Sequence, residues 1–171
     1  MNDRLSVGQA YLFQAKEDLC AVRALGHDIR LAPSSFFMML QMVFEKLAKS
    51  AKYWKDAHIP ASLRHEAADA HFSKRIDAII RMNPAKQKYY SHLIALIKAL
   101  EAAQPSVAKK ASPYSPMLEY PWENRNHFIC YPARDLPLVL KLKGDQNFII
   151  SIWHALKFAQ EYANELEAMI R

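Results

Sequence analysis

Six of the nine prolines in this 171-residue chain fall between positions 105 and 137, at 105, 113, 116, 121, 132 and 137. Proline lacks the amide that an inner helical turn needs, and it pushes the residue before it toward extended backbone. No continuous helix can cross that stretch. Elsewhere the chain carries only three glycines, Gly8, Gly26 and Gly144, among abundant Ala, Leu, Lys and Glu, a composition that favours helix. The expectation is helices on both sides of an irregular insert spanning 105–146.

Apolar spacing places those helices. Val7, Tyr11, Ala15, Leu19, Val22 and Leu25 share one helical arc that ends at Gly26. A second helix follows with Ser34 or Ser35 as N-cap, and Phe36, Leu40, Val43, Phe44, Leu47, Ala51 and Trp54 fall within about 100° of arc. Lys46, Lys49, Lys52 and Lys55 recur every third residue around the remainder, giving this helix a buried side and a basic side. Ser62 caps the third, which turns Ala68, Phe72, Ile76, Ile79 and Ile80 inward. Asn83 caps the fourth and Pro84 opens it, with Tyr90, Leu93, Ile94, Ile97 and Leu100 as its stripe. The last helix, 147–171, is entered through Asp145. Its face runs from Phe148, Ile149, Ile152 and Trp153 through Leu156, Ala159, Ala163 and Leu166 to Ile170. One neighbour cannot cover that width, so it should pack centrally or against a second subunit. Inside the insert, "HFICY" and "LVLKLK" suit a short hairpin, since Leu138, Leu140 and Leu142 alternate with Val139, Lys141 and Lys143. The expected fold is all-α: one domain, 1–171, built as an up-and-down bundle of about five helices.

The net charge of +6 is uneven, because residues 46–110 hold 13 Lys or Arg against 5 Asp or Glu. A local positive field draws phosphates, although a solvated lysine face has the same composition. The apolar runs are far shorter than the ~20 residues of a membrane span, which predicts no membrane partner. The start, "MNDRLSVGQAYLF", lacks the basic-then-apolar order of a secretion signal, and Cys20 and Cys130 form no C-x-x-C pair. Both features predict a cytoplasmic protein with reduced thiols. No phosphate-binding glycine loop or serine-hydrolase elbow is present. His65 and His71 stand about 120° apart on a helix, so they share no metal, and His65 points toward the core with Phe72. No cofactor is implied.

"QMVFEKLAKSAKYW" followed by "LRHEAADAHF" resembles the HEPN superfamily, the nucleotide-binding domains of higher eukaryotes and prokaryotes. Gln41, Glu45, Lys46 and Lys49 match its second-helix pattern and His65 matches the histidine opening its third helix. Tyr131–Pro132 is similar to the Tyr-Pro many non-catalytic members carry before the last helix. The resemblance covers about residues 5–100 and 125–171. It implies a helical bundle, often a homodimer, in a toxin–antitoxin or antiviral setting. The implied partner protein is of the nucleotidyltransferase-like antitoxin type.

Enzymatic HEPN members are metal-independent ribonucleases that use an Arg, a polar residue and a His after a gap of four to six. Imidazole there exchanges a proton with the ribose hydroxyl or leaving oxygen while Arg steadies phosphate charge. Arg125–Asn126 begins like that motif, but His127 follows at once. Arg64 and His71 do fit the spacing, and Arg75 joins their stripe. The leading reading is therefore a non-catalytic binding module for a nucleotide, RNA or a partner protein. Lys46, Lys49, Arg64 and Arg75 would contact phosphate, while Tyr120, Trp122, Arg125, Asn126 and Tyr131 would stack and hydrogen-bond. Two alternatives stand beside it: a ribonuclease using Arg64 with His71 or Arg125 with His127, and a structural protein–protein interaction module.

Overall fold

One helix, α2 (Pro33–Tyr53), is buried on nearly every side, and the other helices are arranged around it. The computed structural model of the protein describes residues 7–53, 68–103, 122–123 and 125–169. Over these residues it is an all-α bundle of α1 (Val7–Gly26), α2, α3 (Ala68–Met82), α4 (Gln87–Ala102), α5 (Pro132–Asp135), α6 (Pro137–Gly144) and α7 (Gln146–Ala168). A 3-10 turn, Pro84–Lys86, leads into α4. Strands β1 (Trp122–Glu123) and β2 (Ile129–Cys130) pair antiparallel, Trp122 opposite Cys130 and Glu123 opposite Ile129.

The five long helices are those the apolar spacing predicts. Helices α5 and α6 are additional, and they correct the reading of the insert. "LVLKLK" is not a strand paired with "HFICY"; it lies in α6, and β2 pairs with β1 instead. Leu138, Val139 and Leu142 are buried while Leu140 is exposed, a helical spacing that the Leu alternation concealed. Pro132 and Pro137 are each the first residue of a helix, and Tyr131 and Leu136 before them are extended. Proline suits that position because the amide it lacks would have no partner in a first turn. Pro33 does the same for α2. Ser34 and Ser35 are inside that helix rather than its caps, and the Ala32 carbonyl accepts the Phe36 N–H at 3.0 Å. Asp145 does cap α7, its carboxylate accepting the Phe148 N–H at 3.1 Å. Ser62 and Trp54 lie outside the described residues.

Helix α1 is rotated slightly from expectation. Its buried seam is Gly8, Leu12, Ala15, Leu19 and Val22, leaving Val7 exposed and Tyr11 at the edge, stacked on Tyr53. It lies antiparallel to α2, since Ser50 near the end of α2 donates to the Gly8 carbonyl at 2.9 Å. Their contact is the most extensive between any two elements.

Helix α1 covers Lys46 and Lys49 of the expected basic side of α2, while Lys52 is exposed and Lys55 lies outside the described residues. Lys46 forms an ion pair with Asp18 of α1. Lys49 donates to Glu45 at 2.6 Å and lies 5.4 Å over the Tyr11 ring, its side chain only 9% exposed. Gln41 Nε2 donates to Glu45 at 3.1 Å. Gln41, Glu45 and Lys49, each four residues apart, thus form a polar ladder within the helix-to-helix seam. A lysine stem packs readily against apolar surface, but a covered ammonium needs a carboxylate to offset its desolvation. Removing one member leaves the other as a lone buried charge. Lys49→Ala is expected to cost about 3–5 kcal/mol in denaturant unfolding. Glu45→Leu combined with Lys49→Met should cost clearly less, and equal losses would show that the pair is not a desolvated one.

Candidate functional site

Helix α3 has two working faces. Ala68, Phe72 and Ile76 are buried in the core. On the other side Ala70, His71, Lys74, Arg75, Ala78, Ile79 and Met82 follow at helical spacing and line one cleft. Ala51 and Lys52 at the end of α2 and Tyr162 of α7 complete its described walls, which enclose about 800 Å³.

The cleft floor is held by aromatic packing. Phe72 meets Phe44 of α2 edge-on at 5.3 Å, Phe158 of α7 at 5.7 Å and Tyr162 at 5.4 Å. Such edge-to-face pairs set the positive rim of one ring against the negative face of another. Tyr162, 4% exposed, is thereby fixed beneath the polar groups of α3. Its hydroxyl lies 2.8 Å from His71 Nε2, within hydrogen-bond distance. The Arg75 guanidinium sits 4.5 Å over its ring and pairs with Glu165, one turn further along α7. Arg75 Nε is buried and has no hydrogen-bond partner. Lys74 beside it is exposed and makes no ion pair among the described residues. Burial, the largest effect, pushes the Tyr162 phenol above its usual ionisation range, with the Arg75 charge opposing and the Glu165 charge adding. The hydroxyl therefore keeps its proton at neutral pH.

Of the residues singled out from the sequence, His71 and Arg75 come together here. Arg64 and Tyr120 lie outside the described residues, as does His65. Lys46 and Lys49 belong to the ion pairs of the α1–α2 seam and do not line the cleft. Arg125, Asn126 and His127 sit at the exposed turn between β1 and β2, with His127 in the left-handed region at φ 60°. They belong to another element from His71, and none of them lines the cleft. Trp122 pairs its backbone with Cys130 in that hairpin. Tyr131 is exposed, but Arg134 lies 4.3 Å over its ring, and Asp135 holds both Arg134 and the Tyr131 amide. A face for base stacking is therefore already occupied.

Lys52, Lys74, Tyr162 and Glu165 were not among the expected site residues. The available signal was Phe158 and Tyr162 four apart on α7, with Glu165 continuing their stripe. Among the described residues no group of three or more metal-ligating side chains occurs, and no helix is long and apolar enough to cross a membrane.

The raised phenol has a consequence for folding. Above about pH 10 an unfolded tyrosine loses its proton while Tyr162 retains it, so the unfolded state binds fewer protons and stability falls as pH rises. Tyr89 and Tyr90, also raised mainly by burial, act in the same direction. Denaturant unfolding at pH 9, 10 and 11 should show that decline, with a shallower slope in Tyr162→Phe; an unchanged slope would place the phenol in water. No family model, no curated protein and no solved structure matches the chain.

Proposed function

We propose that the chain is a non-catalytic helical module of the HEPN type that holds a phosphate-bearing ligand, a nucleotide or RNA, in the α2–α3–α7 cleft. The observation that carries this is the convergence of His71, Lys74 and Arg75, from one face of α3, on a cavity of about 800 Å³. That volume falls within the range of about 300–1,000 Å³ usual for small-ligand sites. The Arg75 guanidinium, set over the buried Tyr162 ring, holds phosphate more strongly than it would in open water, and the exposed Lys74 ammonium adds a second positive charge at the cleft. A holding role is supported by the partners these groups already have, with His71 on Tyr162 and Arg75 on Glu165.

On the HEPN resemblance the module is a homodimer working with a nucleotidyltransferase-like partner. The edge of α7 that leaves Ile150 and Trp153 exposed, Trp153 by 51%, is the face for the second copy. Light scattering should give a dimer for the native chain and a monomer for Trp153→Glu, whereas a native monomer would remove the dimer from this reading.

Titration of AMP and of a single-stranded RNA at two salt concentrations tests the cleft. Binding should weaken as salt rises, and Lys74→Glu should lower affinity about tenfold or more. Lys88→Glu, on an exposed position of α4 away from the cleft, should change little. Absence of binding by the native chain at both concentrations would discard the proposal. The ribonuclease reading has one observation in its favour, an imidazole beside a guanidinium in the same cleft. RNA cleavage in chelator by the native chain, lost in His71→Ala, would replace the holding role with a catalytic one.

A further inference from the structure

Away from the α2–α3–α7 cleft, α4 forms a groove with α6 and the first turns of α7. It consists of two adjoining cavities that share Ala99 and Lys141. The first, about 190 Å³, is walled by Ala99, Ala102 and Ala103 around the end of α4 and by Leu136, Pro137 and Leu138 around the start of α6. Apart from Lys141, its described walls carry no polar side chain. The second, about 170 Å³, brings Lys141 together with Asp145, and its other polar side chains are His92, Asn147 and Ser151. Joined, the two reach the range of about 300–1,000 Å³ usual for small-ligand sites.

Lys141 and Asp145 stand four residues apart, a spacing at which opposite charges on a helix can pair. Among the described residues no ion pair joins them. The Lys141 ammonium lies 6.0 Å over the Phe148 ring, and Asp145 Oδ1 accepts the Phe148 N–H at 3.1 Å. The ammonium and Asp145 Oδ2 are thus both without a charged partner among the described residues, on the walls of one cavity. Ser151 is already committed, donating to the Asn147 carbonyl at 2.9 Å, and His92 is the remaining titratable group on the described walls. An anion drawn to Lys141 is repelled by Asp145, and a cation drawn to Asp145 is repelled by Lys141. A ligand carrying both charges a few atoms apart is complementary to both residues.

We infer that the groove takes an apolar α-amino acid, with its carboxylate on Lys141, its ammonium on Asp145 and its side chain in the cavity walled by Leu136 and Leu138. Ala99 borders both cavities and has no side chain beyond Cβ, which leaves room for the ligand's α-carbon at their junction. Lys141 and Asp145 are exposed, so their contacts select the zwitterion while the apolar cavity supplies most of the affinity. No residue lines both this groove and the phosphate-holding cleft, and the assignment does not rest on that reading.

Equilibrium dialysis of the full chain near neutral pH tests this with leucine, glycine, 4-methylpentanoate and 3-methylbutylamine. The last two are leucine without its ammonium and without its carboxylate. Leucine should bind at least about tenfold more tightly than glycine, which lacks the apolar side chain. It should exceed each singly charged analogue by about fivefold or more. Lys141→Gln and Asp145→Asn should each weaken leucine by about fivefold, and asparagine keeps the cap of α7, so the fold is retained. Ala102→Leu, at an exposed position, should weaken leucine by filling the apolar cavity and leave glycine unchanged. Glycine binding as tightly as leucine would overturn the apolar subsite. Either analogue matching leucine would overturn the zwitterion assignment, and leucine binding that none of the three variants disturbs would place it elsewhere. Absence of leucine binding would end the proposal and leave the phosphate-holding reading untouched.

Discussion

The bundle depends on how α2 is enclosed. A helix covered by neighbours on nearly every side cannot place all its polar residues in water, and α2 carries Gln41, Glu45, Lys46, Lys49 and Ser50 within its buried length. The fold satisfies most of these groups internally. Glu45 accepts from Gln41 and Lys49, Asp18 comes from α1 to meet Lys46, and Ser50 bonds the backbone of Gly8. An arrangement of this sort adds little net stability over apolar packing, but it fixes register, because sliding α1 along α2 would strand several charges at once. The register in turn sets where the end of α2 stands against α3, and so one wall of the cleft.

The cleft joins two chemistries that one helix can supply only because its faces differ. Phe72 points to the core and His71, the residue before it, lines the cavity. Tyr162 belongs to both sides, its ring in the aromatic floor and its hydroxyl against the imidazole. Burial keeps that hydroxyl protonated, and the partly exposed Arg75 cation rests on the ring face. The site is thus an outgrowth of the core rather than a feature of the loops.

Much of the architecture was legible because apolar spacing of 3.6 is a strong signal over long segments. The buried stripes of α2, α3 and α4 are close to those the pattern predicts. What failed to show was context. The lysines of α2 recur as a solvated face would, and nothing local tells that α1 will lie over Lys46 and Lys49. The alternation in "LVLKLK" fits a strand as well as a helix over so few residues, and only the proline ahead of it favours the helix. His71 and Arg75 were visible as a pair on one helix, whereas Tyr162 and Glu165 join them across some 90 residues of chain. Proximity over such a separation is a product of packing, which a periodic pattern does not encode. The turn at Arg125, Asn126 and His127 attracted notice by composition alone.

Phe72 and Met82 sit on the same helix, one fully enclosed and the other almost bare. Changes to the floor formed by Phe72, Phe158 and Tyr162 disturb the packing that holds three helices together, so mutational drift there is tightly constrained. The rim at Lys74, Ala78 and Met82 carries no such burden. Substitutions at the rim can therefore change the lining of the cleft while the floor stays intact, a separation that lets this surface vary at small risk to folding.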